Sequence, residues 1–385
     1  MTTSVYLDYN ATAPVRPEAA AAVAHALELG GNPSSVHASG RAARALMEQA
    51  RQEIAALIAA PASTVVFTSG GAEANSLVME SAIATGSRRL IVSAIEHATI
   101  IETAKASGLP VEYLPVDRHG VADLDWLHQR LSRWDAADGR PFVALMLANN
   151  ETGVMQPVQE ASEIVRAADG WLHVDAIQAI GKIAVDSRAL GADTLSFSGH
   201  KLGAPQGVGG LTFGPRATLV RRQHGGGHER GRRAGTENVP GIAGLGAAAR
   251  IAREAVAAAA DQGAWRDAAA GRLKAAGCVV MGEGAPRLPN TLCVAADGFA
   301  SDLQVMALDL ASVMVSAGSA CSSGKVKESH VLTAMDQGDL AGCAIRVSGG
   351  WNTKESDWNR FVEAWFEAHE RHAARRRAPA VAGVA

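Results

Sequence analysis

Apolar positions along the chain follow two alternating patterns. Brief runs rich in β-branched side chains, Val65–Thr68, Leu90–Ser93, Val111–Leu114, Phe142–Leu147, Trp171–Val174 and Thr194–Ser198, are bounded by Gly, Pro or polar turns and predict buried strands. Between them, Ala72–Ala84, Thr99–Ser107, Asp123–Trp134 and Val158–Ala168 are amphipathic or Ala-rich and predict helices. This alternation predicts a mainly parallel α/β sheet with helices on both faces. Past Gly246 the pattern changes. Two Ala-rich stretches, Leu245–Ala260 and Ala264–Ala276, predict helices. Shorter strands follow at Asn290–Val294, Val313–Ser316 and Ile345–Ser348, with helices at Asp302–Leu310 and Glu355–Arg371. That is a second, smaller α+β unit. The expected division is a large domain at residues 16–250, a small one from 1–15 and 251–372, and a disordered tail at 373–385 that begins near Arg375-Arg376-Arg377.

A length of 385 residues fits two such domains. Hydrophobic residues make up 48% and charged residues 19%, a globular balance that excludes a disordered or fibrous chain. With 36 basic and 39 acidic residues, the net charge of −3 points to neither nucleic acid nor an anionic membrane, so the expected ligand is small. The four cysteines, Cys278, Cys293, Cys321 and Cys343, contain no C-x-x-C pair, and reduced thiols fit better than a disulfide framework or a zinc site. No metal site is expected. The N-terminus has no signal-peptide pattern, and the uncharged stretch Ile54–Ala72 is broken by Pro61 and several polar residues. The expected location is the cytoplasm, with no membrane span.

Three segments carry candidate chemistry. In Ser198-Gly199-His200-Lys201, a lysine just past a strand end can be partly desolvated and form a Schiff base; a solvated turn is the ordinary alternative. In Ser69-Gly70-Gly71-Ala72-Glu73-Ala74-Asn75, glycines at a strand-to-helix junction open backbone N–H groups to a phosphate, or simply make a tight turn. In Trp171-Leu172-His173-Val174-Asp175-Ala176, an acid ends a buried strand where open α/β sheets bind ligands, with Gln178 three residues on; a helix N-cap is the alternative for Asp175. Together, a phosphate-holding helix start, an acid for a ring nitrogen and a strand-end lysine are the parts that pyridoxal phosphate requires.

The sequence resembles the cysteine desulfurases of aminotransferase class V along nearly its whole length. Nine ordered strings carry the resemblance: YLDYNAT from Tyr6, NPSSVH from Asn32, FTSGGAE from Phe67, Glu96-His97, NNETG from Asn149, HVDAIQ from His173, SGHK from Ser198, RAGTEN from Arg233 and SACSS from Ser319. The resemblance implies the aspartate aminotransferase-like fold, type I of the pyridoxal phosphate enzymes. It implies that Lys201 holds the cofactor as a Schiff base, that His97 stacks on the ring and takes part in proton transfer, that Asp175 pairs with the ring nitrogen and that Gln178 contacts the ring oxygen. It also implies phosphate contacts from Gly71, Ala72, Ser198 and His200, completed by Thr236 of the partner subunit in a homodimer. Asn150 and Arg346 match positions that bind the substrate carboxylate, and Cys321 matches the nucleophile. Departures from the family pattern are Ala72, where Thr is common, Gln206 for Lys, His228 for Gln and Trp351 for Arg.

Cys321 lies in a run of small residues, Ser316–Gly324, suited to a thiol that travels between the cofactor and an outside acceptor, with Lys325 and Lys327 as possible aids to the thiolate. Cys278, Cys293 and Cys343 sit in apolar or strand-like stretches and are expected to be buried. The implied reaction converts L-cysteine to L-alanine and leaves a persulfide on Cys321 for a protein acceptor such as an iron–sulfur scaffold. The SACSS context resembles the NifS/IscS-like branch. A selenocysteine lyase, another class V aminotransferase and a silent scaffold of the same fold are the competing readings.

Overall fold

The computed structural model describes residues 4–256, 259–318 and 329–377. Strand β1 (Val5–Tyr6) opens the chain, and the next seven build the main sheet: β2 (Val65–Thr68), β3 (Leu90–Ser93), β4 (Val111–Leu114), β5 (Phe142–Ala144), β6 (Trp171–Asp175), β7 (Thr194–Ser198) and β8 (Gly209–Phe213). Their order is β2-β8-β7-β6-β5-β3-β4, and only β8 runs antiparallel to its neighbours. Every residue of β2, β3, β5, β6 and β7 is buried, as expected where helices cover both faces. One face packs on the helices Ala38–Leu57, Val158–Ala167 and Val239–Ala255, the other on Gly71–Ala84 and Ala98–Ala106. The edge strand β4 is only partly covered. Its Glu112 is held by Arg89 and Arg130, which places charge on an edge that could otherwise pair with another strand.

Strand β8 was not expected from the Gly-rich sequence. Glycine has a low strand propensity, yet here it is required: a Cβ on Gly210 would lie 2.3 Å from the Val66 carbonyl and 2.6 Å from the Phe197 ring. The helix Val239–Ala255 begins earlier than its Ala-rich run, at the Asn238 cap, whose side chain accepts from the Gly241 N–H. Its Gly246 lies against Ala50, where a Cβ would come within 2.6 Å of the Ala50 backbone, so the two helices pack at close range.

The C-terminal part has its own sheet, made from β9 (Val279–Val280), β10 (Thr291–Ala295), β12 (Ser316–Ala317) and β13 (Ala344–Ser348) in the order β12-β13-β10-β9, all antiparallel. A separate core forms around Leu273, Leu292, Val347, Trp358, Phe361 and Trp365. The N-terminal arm joins it through β1, which pairs in parallel with β11 (Val313–Met314). Two expectations need correction. The last helix, Glu355–Arg377, runs beyond residue 372, so 373–377 continue it rather than begin a tail. Cys278 and Cys293 are buried, but Cys343 is half-buried, at the turn into β13 where its carbonyl accepts from Gln304.

A buried ion pair fixes the loop that precedes the Asn238 cap. Arg51, from the helix Ala38–Leu57, donates both Nη1 and Nη2 to Glu229 at 2.8 Å, and the Phe67 N–H of β2 donates to the same carboxylate at 2.9 Å. Glu229 and Arg230 adopt left-handed backbone angles, φ 47° and 57°, which this anchoring holds in place. Replacing Glu229 with Gln leaves the Arg51 charge buried beside a neutral partner. We expect a loss of about 3 kcal/mol in unfolding free energy, read as a lower urea midpoint at unchanged slope. An unchanged midpoint would show that the pair contributes nothing to stability.

Candidate active site

The parallel strands bring the candidate residues to one edge. His97 follows β3, Asp175 ends β6, Ser198 ends β7, and His200 and Lys201 occupy the turn after it, all at the carboxyl ends where such sheets form ligand crevices. A cavity of about 320 Å³ lies there, lined by Gly71, Ala72, His97, Asn150, Asp175, Gln178, Ser198, His200, Lys201 and Arg346. Two expected residues are not in this group. Thr236 is exposed and lines a different depression, beside Ser69 and Glu237. Cys321, with Lys325 and Lys327, lies outside the described residues.

Asp175 is fixed by two donors, the Asn75 Nδ2 at 2.8 Å and the Ile177 N–H at 3.0 Å. Behind it runs a polar relay that the motif reading did not assign. Asn75 Oδ1 is 3.0 Å from His173 Nε2, and His173 Nδ1 is 3.0 Å from Thr194 Oγ1. Because Asn75 Nδ2 is used by Asp175, its Oδ1 must accept, so His173 carries its proton on Nε2. Burial pushes the imidazole down to about 3, which keeps it neutral. Glu96 lies nearby, fully buried, with one oxygen accepting from the Met146 N–H; burial and then the Asp175 charge push its carboxyl well above the usual range. Both causes favour the protonated form of Glu96.

The other end of the cavity fits a phosphate. The helix Gly71–Ala84 starts there with no side-chain cap, and its first intrahelical bond comes from the Ala74 N–H. The N–H groups before it are therefore available to an anion. A Cβ on Gly71 would lie 2.1 Å from the Ile177 Cδ1, so a larger residue there would require that side chain to shift. Ser198 and His200 complete the wall. Burial, and then the Lys201 and Lys182 charges, push His200 down to about 4, so it meets an anion as a neutral imidazole. With Asp175 at one end, a lysine between and this anion cradle at the other, the donor set fits pyridoxal phosphate.

Lys201 Nζ donates to the carbonyls of Asn10 and Ala11, 2.6 Å from each. His97 caps the helix Ala98–Ala106: its Nδ1 accepts from the Thr99 N–H at 3.2 Å, which places the ring proton of the neutral form on Nε2. Arg346, from β13, is buried. It pairs with Asp8 at 2.9 Å and donates to the Asn150 carbonyl at 3.2 Å, while its Nε meets no acceptor among the described residues. That is a guanidinium with capacity left for a carboxylate. Of the sequence departures, only Ala72 lines the cavity. Gln206 is exposed, and Trp351 donates to the Pro14 carbonyl and lies beneath Arg16, bracing the N-terminal arm. Asn10, Asn75, His173 and Lys182 escaped assignment. The signal available for Asn75 was its position one helical turn past Gly71, on the face that meets β6.

The chain is similar to known proteins along nearly its whole length. The chain is 40% identical over 376 residues to a cysteine desulfurase of Cereibacter sphaeroides, covering 93% of this chain and 94% of that one. It is 38% identical over 370 residues to the cysteine desulfurase IscS of Dictyoglomus turgidum, covering 93% of both. The solved structure of a NifS-like protein from Rickettsia africae superposes with a TM-score of 0.87 at 30% identity, over 96% of this chain and all of that one. The aminotransferase class-V model matches residues 5–361, and the chain belongs to that family.

Proposed function

We propose that this chain is a pyridoxal phosphate-dependent cysteine desulfurase: L-cysteine is converted to L-alanine, and its sulfur passes to the Cys321 thiol as a persulfide. The observation that carries this reading is the gathering of Lys201, Asp175, the Gly71 helix start and the Arg346 guanidinium around one cavity. Relatives named cysteine desulfurase that align over more than nine-tenths of the chain support it. The cofactor, linked through Lys201, supplies an electron sink for the substrate's α-carbanion.

The chain's own residues supply the rest. Asp175 holds the proton on the ring nitrogen, and Gln178 donates to the ring oxygen. The Gly71 and Ala72 N–H groups, Ser198 and His200 hold the phosphate, completed by Thr236 of the partner subunit in a homodimer. That assignment is consistent with Thr236 being exposed and away from its own chain's cavity. Arg346 and Asn150 orient the substrate carboxylate. His97 packs on the ring and moves protons at its Nε2. The Cys321 thiolate would attack the substrate sulfur; the C–S bond breaks with its electron pair going to the β-carbon, and protons delivered to the β- and α-carbons complete alanine. The persulfide then passes to a protein acceptor, an iron–sulfur scaffold being the expected kind. The large cofactor domain comprises residues 16–250, and the small domain residues 1–15 with 251–372 and the end of the last helix; the two separate cores and the β1–β11 pairing support this division. Among the described residues no helix is long and apolar enough to cross a membrane, and Cys278, Cys293 and Cys343 are free. Reduced thiols suit a cytoplasmic location.

Mass spectrometry of the holoenzyme after exposure to L-cysteine should show one added sulfur on Cys321. Cys321→Ala should lose alanine formation by at least about 100-fold while L-cysteine still changes the cofactor absorbance. An unmodified Cys321 alongside active transamination would overturn the proposal.

The relay behind Asp175 gives a second test. His173 has a folded value near 3 against an ordinary 6.5, so between these limits the folded state binds fewer protons than the unfolded chain. Its contribution is complete above about pH 6.5 and falls as pH drops toward 3, by about 1.4 kcal/mol per pH unit. His173→Gln should therefore flatten the fall of the urea midpoint between pH 6.5 and 5 by one proton's worth. An identical slope in both proteins would mean that His173 is not held neutral.

A further inference from the structure

A carboxamide can present either its N–H or its oxygen to a ligand, and rotation about its last bond exchanges the two. The role proposed above for Gln178 requires the N–H side to face the ring oxygen. Two contacts decide the orientation. Gln178 Nε2 donates to the Asn10 carbonyl at 3.0 Å, and Gln178 Oε1 accepts from Lys182 Nζ at 2.5 Å. Lys182 follows Gln178 by four residues, in the turns that begin at Ala176, and its Nζ also donates to Asn10 Oδ1 at 2.7 Å. Both acceptors belong to buried residues.

We propose that Lys182 is a positioning residue for the cofactor: it fixes the Gln178 amide so that the remaining N–H faces the cavity and holds negative charge on the ring oxygen. A flipped amide would set Nε2 against the Lys182 hydrogens and Oε1 against the Asn10 carbonyl, two repulsive contacts in place of two hydrogen bonds. The charged groups acting on Lys182 are Lys201 and Arg346, both cations, and Arg346 is itself paired with Asp8. Burial and those two cations push the Lys182 amine well below its ordinary range. A neutral amine still carries two N–H bonds, one for each acceptor, so the positioning does not depend on its charge. Lys182 thus differs from Lys201, whose role is covalent.

This inference rests on the ring-oxygen role of Gln178, and the test separates the two. The pH midpoint of the absorption band of the Lys201-linked cofactor is measured in the holoenzyme and four variants. An N–H donor on the ring oxygen competes with the proton shared by the lysine–cofactor linkage, so losing it raises the midpoint. Gln178→Ala and Lys182→Met should each raise it by about one pH unit, and their combination should add nothing further. Lys182→Arg, which keeps the donors, should return the midpoint toward that of the unaltered protein. If Gln178→Ala leaves the midpoint unmoved, the ring-oxygen role fails and the inference fails with it. If Gln178→Ala shifts it and Lys182→Met does not, only the inference fails. An equal Lys182→Met shift in both backgrounds also overturns it, because the effect would then be charge acting through space. Should Lys182→Met not fold or not retain cofactor, Lys182→Gln enters the same cycle, with a shift in the same direction expected and an unmoved midpoint overturning the inference.

Discussion

Asn10 uses every hydrogen-bonding group it has, and the site depends on it. Its carbonyl accepts from Lys201 and Gln178, its side-chain oxygen from Lys182 and Asn290, its Nδ2 donates to the Asn150 carbonyl and Thr291 Oγ1, and its N–H to Ser348 Oγ. Those partners come from the main sheet's carboxyl edge and from the C-terminal sheet, so one buried residue on the N-terminal arm joins both halves at the point where the chemistry occurs. A polar network of this kind positions its members only when every member is satisfied, and here the asparagine is.

The sequence made some of this legible and hid the rest for physical reasons. Strands Val65–Thr68, Leu90–Ser93, Val111–Leu114 and Thr194–Ser198 fall at the residues expected, because short β-branched runs between turn residues have few alternatives to a strand. Gly209–Phe213 was invisible because its glycines are selected by the closeness of neighbouring strands, which a local pattern does not carry. Most site residues were readable from motifs whose backbone placement is local. Asn75 and His173 were not read as a relay, because their meaning arises only when the helix Gly71–Ala84 lies across β6. Cys343 looked like its buried counterparts because its neighbours are apolar; the turn that half-exposes it is a tertiary outcome.

The cavity concentrates cations. Lys201 and Arg346 converge on it, with Asp8 engaged by Arg346 and Asp175 held at the far end. Glu96, which could have added a second negative charge beside Asp175, is driven to its neutral form by its own burial. The resulting field suits ligands that bring their own anions, a phosphate at the helix start and a carboxylate at Arg346. Burial first, and this field second, leave His200 without a charge of its own.

The Arg51–Glu229 pair bears on assembly. It anchors the loop leading to Thr236 onto β2, the strand that runs directly into the Gly71 helix start. In the proposed homodimer, where Thr236 of the partner subunit would complete the phosphate site, each cradle would be built from a strand end of one chain and a loop pinned to the equivalent strand of the other. Cofactor occupancy and subunit association then become linked equilibria: whatever factor pairing adds to cofactor affinity, the cofactor returns to pairing. A chain that loses its cofactor would loosen its grip on its partner, and dilution would promote cofactor loss.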